Sequence, residues 1–190
     1  MNRRAAIATL LYASLPGIAS AVEFGPKQVA LLMLRILAYD RNFKVRADGK
    51  AAPILLLYQD GNALSEAMQV DLGNVFEELM GSVRVGGLPL QVSALAYTKP
   101  LALEARVLSL HPFVRFVCPG LAEAVPQVSA ICRKRSVLSM TTTNSYVKGG
   151  LSVGLSPGDD RMHIAINLPA SKAEGTDLDA ALLRIAEVYR

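Results

Sequence analysis

Residues 54–62 have the sequence Ile54-Leu-Leu-Leu-Tyr58-Gln-Asp-Gly-Asn62. The unbroken apolar run at its start is typical of a central parallel strand that is covered on both faces. Asp60, Gly61 and Asn62 end the run, and Asn62 can cap a following helix. Apolar residues then recur at three- and four-residue steps, and Gly81 is expected to end this helix. The stretch therefore predicts a strand followed by a crossover helix.

The same alternation of apolar runs and helical patterns continues on both sides of this unit. Strands are predicted over 88–95, 113–118 and 137–140, and helices from Pro26, over 100–110 and over 121–132. The charged segment 41–52 is predicted to be a loop. Strands that are separated by helix-length segments imply a parallel sheet with right-handed crossovers.

The last third of the sequence has a different pattern. Residues 151–155 and 162–168 flank a turn-rich connection, and apolar residues alternate strictly over 162–168, which predicts a β-hairpin at one edge of the sheet. Thr176 is expected to cap a terminal helix whose apolar stripe extends to Tyr189. The predicted fold class is α/β, a single domain with a Rossmann-like, mostly parallel sheet, flanking helices and a C-terminal β-hairpin plus helix.

The composition supports one folded domain. The chain has 190 residues, of which 52% are hydrophobic and 19% are charged, so it can bury a substantial core. This composition excludes a disordered chain, and two cysteines are too few for a disulfide scaffold. The net charge is +4, and +2 without Arg3 and Arg4. That excess is too small to predict nucleic-acid binding.

The first 21 residues have the pattern of a signal peptide. Arg3 and Arg4 form a short basic start, residues 5–15 are apolar, and Ala19-Ser-Ala21 fits the small-residue cleavage rule. The apolar stretch is shorter than the roughly 20 residues that span a bilayer. We therefore expect cleavage after Ala21, residence in the periplasm and a mature domain over 22–190.

A set of glycine and asparagine positions surrounds the predicted hairpin. The strand at 137–140 is followed by Gly149 and Gly150, then by the hairpin that ends near Asn167, and then by Gly175 before a Leu-rich helix. In this order the sequence resembles the YfiR/HmsC family of periplasmic proteins, and the element from Asn167 to Gly175 is its most specific part. The resemblance covers nearly the whole mature chain.

The resemblance implies a periplasmic α/β domain that is often a homodimer. The prototype of the family represses an inner-membrane diguanylate cyclase by binding its periplasmic sensor, and so limits cyclic-di-GMP and biofilm formation. By resemblance, the expected partner of this chain is the periplasmic domain of a membrane sensor or diguanylate cyclase. No cofactor, nucleic acid or stable membrane insertion is expected. The sequence departs from the family in two respects. Its first helix ends in Tyr39-Asp-Arg-Asn-Phe43 instead of an aromatic-Pro pair, and it has one pair of cysteines where the prototype has more.

Neither histidine has the sequence neighbours of a catalytic or metal site. His163 lies in the alternating strand, and His111 precedes Pro112 at a strand entry, without other ligands at metal-binding spacing. The sequence contains no nucleophile elbow, P-loop or zinc-protease motif. We therefore expect a regulatory binding protein and no enzyme. The alternatives are a small-ligand-binding protein, or an unrecognised hydrolase in which folding brings a histidine beside a nucleophile.

Two polar segments are candidates for a ligand loop, because ligands gather at the carboxyl ends of parallel strands. One contains Asp60, Gly61 and Asn62, and the other contains Thr141, Thr142, Thr143 and Asn144. Their hydroxyls and helix-start amides can hold a small anion. In the structural alternative, Asn62 is only a helix cap and the threonines satisfy the turn backbone.

Cys118 and Cys132 are a candidate disulfide, because an exported protein folds in an oxidising compartment. The predicted geometry opposes the bond. A regular helix over 121–132 separates its ends by roughly 16 Å, whereas a disulfide needs Cα atoms within about 7 Å of each other. A helix that is broken near Pro126 would allow the pairing.

The first helix has an apolar arc that is too wide for one contact. Val29, Leu32, Met33 and Ile36 can face the sheet, and this leaves Ala30, Leu31 and Leu34 as a predicted partner-binding surface. In the alternative, the segment 41–52 or the terminal helix folds over these three side chains. Separately, the amide of Asn167 is predicted to bond the backbone between Pro169 and Ala173 and to fix the last helix.

Overall fold

Eight strands and eight α-helices form the parts of the chain that this computed structural model describes, residues 25–46, 51–159 and 161–190. The strands are β1 Ala52–Tyr58, β2 Arg84–Val85, β3 Leu88–Ala96, β4 Val114–Val117, β5 Leu138–Thr141, β6 Val153–Pro157, β7 Met162–Asn167 and β8 Glu187–Tyr189. The helices are α1 Pro26–Ala38, α2 Phe43–Arg46, α3 Ala63–Met80, α4 Pro100–Leu110, α5 Val125–Arg135, α6 Asn144–Lys148, α7 Leu168–Ala173 and α8 Ala180–Ile185. A 3₁₀ turn, Ala122–Ala124, precedes α5.

The eight strands belong to one sheet with the order β2-β3-β1-β4-β5-β6-β7-β8. β1 pairs in parallel with both β3 and β4, so that Ile54 lies beside Val92 on one side and Val114 on the other. The parallel pairing continues through β5 to β6, and β6 and β7 form an antiparallel hairpin. This confirms the predicted mostly parallel α/β sheet with residues 54–58 in a central strand. Helices over the described ranges are not long and apolar enough to cross a membrane.

The alternation of side chains along β1 divides the core into two layers. Ile54 and Leu56 pack with α1 and α3 on one face, whereas Leu55 and Leu57 pack with α4 and α5 on the other. All four side chains are buried. Because helices cover both faces, no position of this strand is left for a polar residue.

The terminal helix is shorter than predicted. Asp179, and not Thr176, caps α8 by accepting a hydrogen bond from Ala181 N at 2.7 Å. The hydroxyl of Thr176 instead donates to Ser171 O at 2.8 Å. Residues 187–189 leave the helix and form β8, which takes the edge position expected for the hairpin. Pairing the backbone groups of β7 outweighs the weak helical preference of three residues.

The segment 41–52 is not the simple loop that its charge predicts. Phe43 begins α2, is buried, and stacks on Phe113 with 4.7 Å between the ring centroids. Ala52 already belongs to β1, and residues 47–50 lie outside the described ranges. Burial of the Phe43 ring therefore fixes α2 against the core, although the charged residues of this segment favour solvent.

Glycines lie at the end of α3 and in the turn between β2 and β3. Gly81 ends α3 as expected, but with an ordinary helical φ of −75° instead of a left-handed one. Gly86 and Gly87, with φ of 58° and 90°, make the tight turn between β2 and β3, a hairpin that was not predicted. Both angles are in the left-handed region that glycine accepts without strain.

Candidate functional site

The first predicted ligand loop lies at the carboxyl edge of the sheet, where β1 ends. Asn62 caps α3 there, because its side-chain oxygen accepts a hydrogen bond from Ser65 N at 3.1 Å. Gly61 N donates to the carboxylate of Glu66 at 2.7 Å, and Asp60 is exposed. Gly61 and Asn62 are therefore engaged by the start of the helix, as the structural alternative predicts.

The threonine loop is engaged in a similar way. The hydroxyl of Thr141 accepts a hydrogen bond from Thr143 N at 3.1 Å, and the amide of Asn144 donates to the Ser156 hydroxyl at 3.0 Å. Thr142 is half-buried beside them. A cavity of about 650 Å³ does lie at this edge, but it is lined by Gln59, Tyr97, Gly120, Leu121, Ala122, Glu123, Ala124 and Gln127. The structure therefore does not bring the two predicted loops into one cavity.

An apolar groove of about 750 Å³ runs beside α1 and is bounded by the β2 hairpin, β7 and the end of α8. We call it the α1 groove. Its apolar lining consists of Leu31, Leu32, Leu34, Ala38, Val83, Val85, Met162, Ile164 and Ile185. Leu31 is 44% exposed and Ile185 is 64% exposed. Both are large apolar side chains that this protomer leaves uncovered.

The predicted exposure of the first helix is correct for one residue of three. Leu31 is exposed, whereas Ala30 is 0% exposed and Leu34 is 6% exposed. The prediction is wrong for Ala30 and Leu34, because α1 packs against α3 and β2 as well as against the sheet. Leu34 still lines the α1 groove although little of its surface is open to solvent.

Two arginines supply the charge of the α1 groove. Arg35 lies on α1 and Arg84 on β2, and both side chains are exposed. The described residues that line the groove include no carboxylate. Neither arginine has an ion-pair partner within residues 25–46, 51–159 and 161–190. The groove therefore combines an apolar floor with a positive rim.

A completely buried carboxylate, that of Glu174, links the end of α7 to β5 and to the start of β6. Glu174, which is 0% exposed, accepts hydrogen bonds from Ser139 N at 2.8 Å, from the Ser139 hydroxyl at 2.7 Å and from the Ser152 hydroxyl. The hydroxyl of Ser139 also accepts from Ser152 N at 2.9 Å. Burial raises the pKa of Glu174 to about 7, although these hydrogen bonds lower it. The network ties the end of α7 to β5 and to the start of β6.

Sequence reasoning did not find this network. Glu174 lies inside the Asn167–Gly175 element, but nothing in the surrounding composition distinguishes a buried glutamate from an exposed one. The sequence signal for a buried Glu174 is the glycine that follows it. Gly175 has a φ of 80°, which lets the chain turn away directly after the carboxylate. Full burial of a glutamate requires such hydrogen-bond partners, because an unpaired buried charge is very costly.

A second buried carboxylate anchors the segment that leads to α8. Asp40 at the end of α1 forms an ion pair with Arg46 and accepts hydrogen bonds from Asn42 N at 3.0 Å and Asp177 N at 2.9 Å. Arg46 also donates to Ser136 O at 3.1 Å. The position of α8, and with it one wall of the α1 groove, is therefore coupled to α1 and α2.

The candidate disulfide is wrong, because the sheet separates the two cysteines. Cys118 packs in the layer of α1 and α3, and Cys132 packs in the layer of α4 and α5. Both are free thiols, and burial raises the pKa of each to about 12. Cys132 accepts a hydrogen bond at 3.1 Å from Arg115, which is itself completely buried.

The two histidines are exposed and lie on different elements of the fold. His111 is exposed at the end of α4 with a left-handed φ of 46°, and His163 is exposed on β7. In the described part of the chain, no three His, Cys, Asp or Glu residues are close enough to hold a metal ion. Neither histidine has a side-chain hydrogen bond to a serine, cysteine or carboxylate within the described ranges.

The glycines and the asparagine that carry the sequence resemblance do come together. Asn167 accepts a hydrogen bond from Ala170 N at 3.1 Å, as predicted, and also donates to Val147 O at 3.0 Å. The helix that it fixes is α7 and not the last helix. Val147 belongs to α6, which ends at Gly149, and the next residue, Gly150, accepts a hydrogen bond from Arg133 at 3.1 Å. The motif therefore joins α5, α6 and α7.

Residues 28–187 match the model of a family described as YfiR/HmsC-like. The match includes α1 from Gln28 onward, strands β1 to β7 and the hairpin motif. The chain belongs to the YfiR/HmsC-like family. Family membership supports a periplasmic regulatory role for this YfiR/HmsC-like chain. The predicted signal peptide, 1–21, lies outside the described residues.

Solved structures have the same fold at low sequence identity. A conserved domain protein from Vibrio cholerae has a TM-score of 0.61 and 14% identity, over 87% of this chain and 60% of that one. A domain from Streptococcus pneumonia in complex with L-Trp has a TM-score of 0.61 and 12% identity, over 87% of this chain and 62% of that one. A substrate-binding protein with adhesive properties from Clostridium difficile, in a ligand-free open form, has a TM-score of 0.55 and 15% identity, over 78% and 57%.

The YfiR/HmsC-like chain spans about 60% of the length of these solved chains. The likeness therefore establishes the α/β fold alone. The sequence matches no curated protein.

Proposed function

We propose that this YfiR/HmsC-like chain is an exported regulatory protein without catalytic activity. It binds the periplasmic domain of a membrane sensor or diguanylate cyclase, and by doing so it limits cyclic-di-GMP and biofilm formation. The observation that carries the proposal is the family match over residues 28–187, which includes every layer of the fold. The resemblance of the hairpin motif to the same family agrees with it.

The polar chemistry of the chain supports binding more than catalysis. Glu174 is completely buried among serines and cannot reach a substrate. The histidines, His111 and His163, are exposed, and among the described residues neither makes the base–nucleophile hydrogen bond that a hydrolase needs. The α1 groove has a mostly apolar lining, and exposed apolar patches of this kind are typical of protein-binding surfaces.

Deletion of the gene tests this function. Cells without the chain should contain more cyclic-di-GMP than the parent strain, because a repressed cyclase is released. Expression of the full chain should return the level to that of the parent. An unchanged cyclic-di-GMP level after deletion, measured by mass spectrometry under conditions in which the chain is expressed, contradicts the proposal.

A second candidate function is binding of a small ligand at the carboxyl edge of the sheet. The cavity of about 650 Å³ beside Gln59, Tyr97 and Gln127 favours it, since parallel α/β sheets bind ligands at this edge. Native mass spectrometry of protein purified from the periplasm should then show a bound molecule that Gln127→Leu loses. If the wild-type protein carries no bound molecule and deletion of the gene raises cyclic-di-GMP, the small-ligand function is rejected and the regulatory function is supported.

A further inference from the structure

We propose that the α1 groove binds an amphipathic helix of the partner's periplasmic domain, and that this helix carries acidic residues beside its apolar face. The inference rests on the proposed function and deepens it by naming the surface and the chemistry of the partner. The shape of the groove, its uncovered apolar side chains and its charge support this assignment.

The shape of the α1 groove fits a helix. Leu31, Leu34 and Ala38 line it from α1 and are spaced by three and four residues, so they form one stripe. From residue 31 to residue 38 the stripe is roughly 10 Å long, about two helical turns. Met162 and Ile164 on β7 form the facing wall. A groove of this kind receives apolar side chains at helical spacing from a partner.

Uncovered apolar surface lies at both margins of the groove. Leu31 is 44% exposed on one side, and Ile185 is 64% exposed on the other. Burial of such side chains stabilises a complex by roughly 25 cal/mol for each Å² removed from water. A partner that lies along the groove can cover both margins at once.

The charge of the groove selects an acidic partner. Arg35 and Arg84 flank the apolar floor and have no ion-pair partner among the described residues. Carboxylates on the polar flank of a bound helix would meet both guanidinium groups. Complementary charge of this kind increases the rate of association and selects the partner.

The same charge disfavours a second copy of the chain as the occupant. A two-fold dimer uses the same surface on both subunits. It would therefore bring the arginines of one groove, Arg35 and Arg84, against the same positive surface of the other subunit, with no carboxylate in the described lining to compensate. Like charges that face each other across an interface oppose its formation.

Two exposed positions in the groove allow a test that spares the core. Leu31→Glu places a negative charge on the apolar margin, and Arg84→Glu reverses the charge at one of the two rim arginines. The matched controls are Leu101→Glu and Lys148→Glu, which change exposed residues in α4 and α6 on the opposite face of the sheet. All four variants should keep the melting temperature of the wild type within a few degrees.

The measurement is the Kd of the purified full chain for the periplasmic domain of the cyclase whose cellular activity it lowers. Leu31→Glu and Arg84→Glu should each weaken binding about tenfold or more, and the controls should stay within about twofold of the wild type. Binding of the wild type should weaken when NaCl is raised from about 50 to about 300 mM, because salt screens the ion pairs. Arg84→Glu should have a smaller salt dependence.

Several outcomes would overturn the inference. Wild-type affinity in both groove variants places the partner elsewhere while leaving the proposed function intact. Affinity that does not fall with salt excludes an acidic partner. A wild-type dimer in sedimentation velocity that Leu31→Glu dissociates assigns the groove to a second copy. Failure of the wild type to bind any cyclase periplasmic domain of the organism contradicts the proposed function as well.

Discussion

At the residue scale, Glu174 links pH to the stability of the fold. Its carboxylate is completely buried and accepts three hydrogen bonds from two serines. Burial favours the protonated form, whereas the donated hydrogen bonds favour the ionised form. Burial is the larger effect, because the pKa rises from 4.5 to about 7.

This pKa predicts that Glu174 makes the fold more stable in mild acid. The folded state holds the proton more tightly than the unfolded state, so the stabilisation is complete below pH 4.5 and is lost as the pH rises through about 7. The difference between the two limits is on the order of 3 kcal/mol. Glu174→Gln should remove this pH dependence, and Glu77→Gln, which changes an exposed glutamate, should keep it. Urea unfolding from pH 4.5 to pH 8 measures the effect; equal pH profiles for Glu174→Gln and the wild type would refute it.

Asn167 should contribute to stability through its two hydrogen bonds. Replacing it with Leu leaves Ala170 N and Val147 O without their side-chain partner. The expected loss is about 1–3 kcal/mol in the free energy of unfolding, because partly buried polar groups lose their partners. Asn74→Leu, on the exposed face of α3, is the matched control. An Asn167→Leu urea midpoint equal to that of the wild type would show that these bonds do not stabilise the fold.

At the element scale, the sheet acts as a partition between the two core layers. It places Cys118 and Cys132 on opposite faces, and each thiol is buried by the helices of its own layer. A bond between them would require the sheet to open.

Both thiols should therefore stay reduced and unreactive in the native protein. A thiol reagent should label neither cysteine under native conditions and both of them in urea, and reductant should not change the melting temperature. Burial raises the pKa of each thiol to about 12, which keeps the reactive thiolate scarce. A species with an internal disulfide that reductant removes, or labelling of the native protein at either position, would argue against this arrangement.

The elements that could be predicted are those whose pattern comes from burial on one or both faces. The apolar run of β1, the helical spacing of α3 and the alternation of β7 each identify their element, because each pattern records which faces are covered. β8 could not be predicted, since three residues carry too little pattern and their strand conformation depends on a distant edge of β7. The burial of Ala30 and Leu34 could not be predicted for the same reason, because the hairpin of β2 and the neighbouring helix α3 help to bury them.

The candidate site was predictable only in part. Leu31 could be predicted as exposed because α1 has more apolar surface than one contact can cover. The other wall of the α1 groove comes from β2, β7 and Ile185, which are distant in sequence. The burial of Glu174 depends on Ser139 and Ser152, which lie on other strands, so no local pattern indicates it.

At the scale of the whole molecule, the proposed function requires that the chain be exported. The basic start, the apolar stretch and Ala19-Ser-Ala21 predict cleavage after Ala21. Intact-mass analysis of the periplasmic protein should give a chain that begins at Val22. A protein that retains Met1 and stays in the cytoplasm would exclude the proposed meeting with a periplasmic domain.

The central claim is that binding of this YfiR/HmsC-like chain lowers the output of a membrane diguanylate cyclase. The direct measurement is cyclic-di-GMP synthesis by the full-length cyclase in lipid nanodiscs, where both faces of the membrane are accessible. Wild-type chain and Leu101→Glu should inhibit synthesis to the same saturating level, and Leu31→Glu and Arg84→Glu should need about tenfold more protein to do so. Synthesis that stays constant while the wild-type chain is bound would contradict the account.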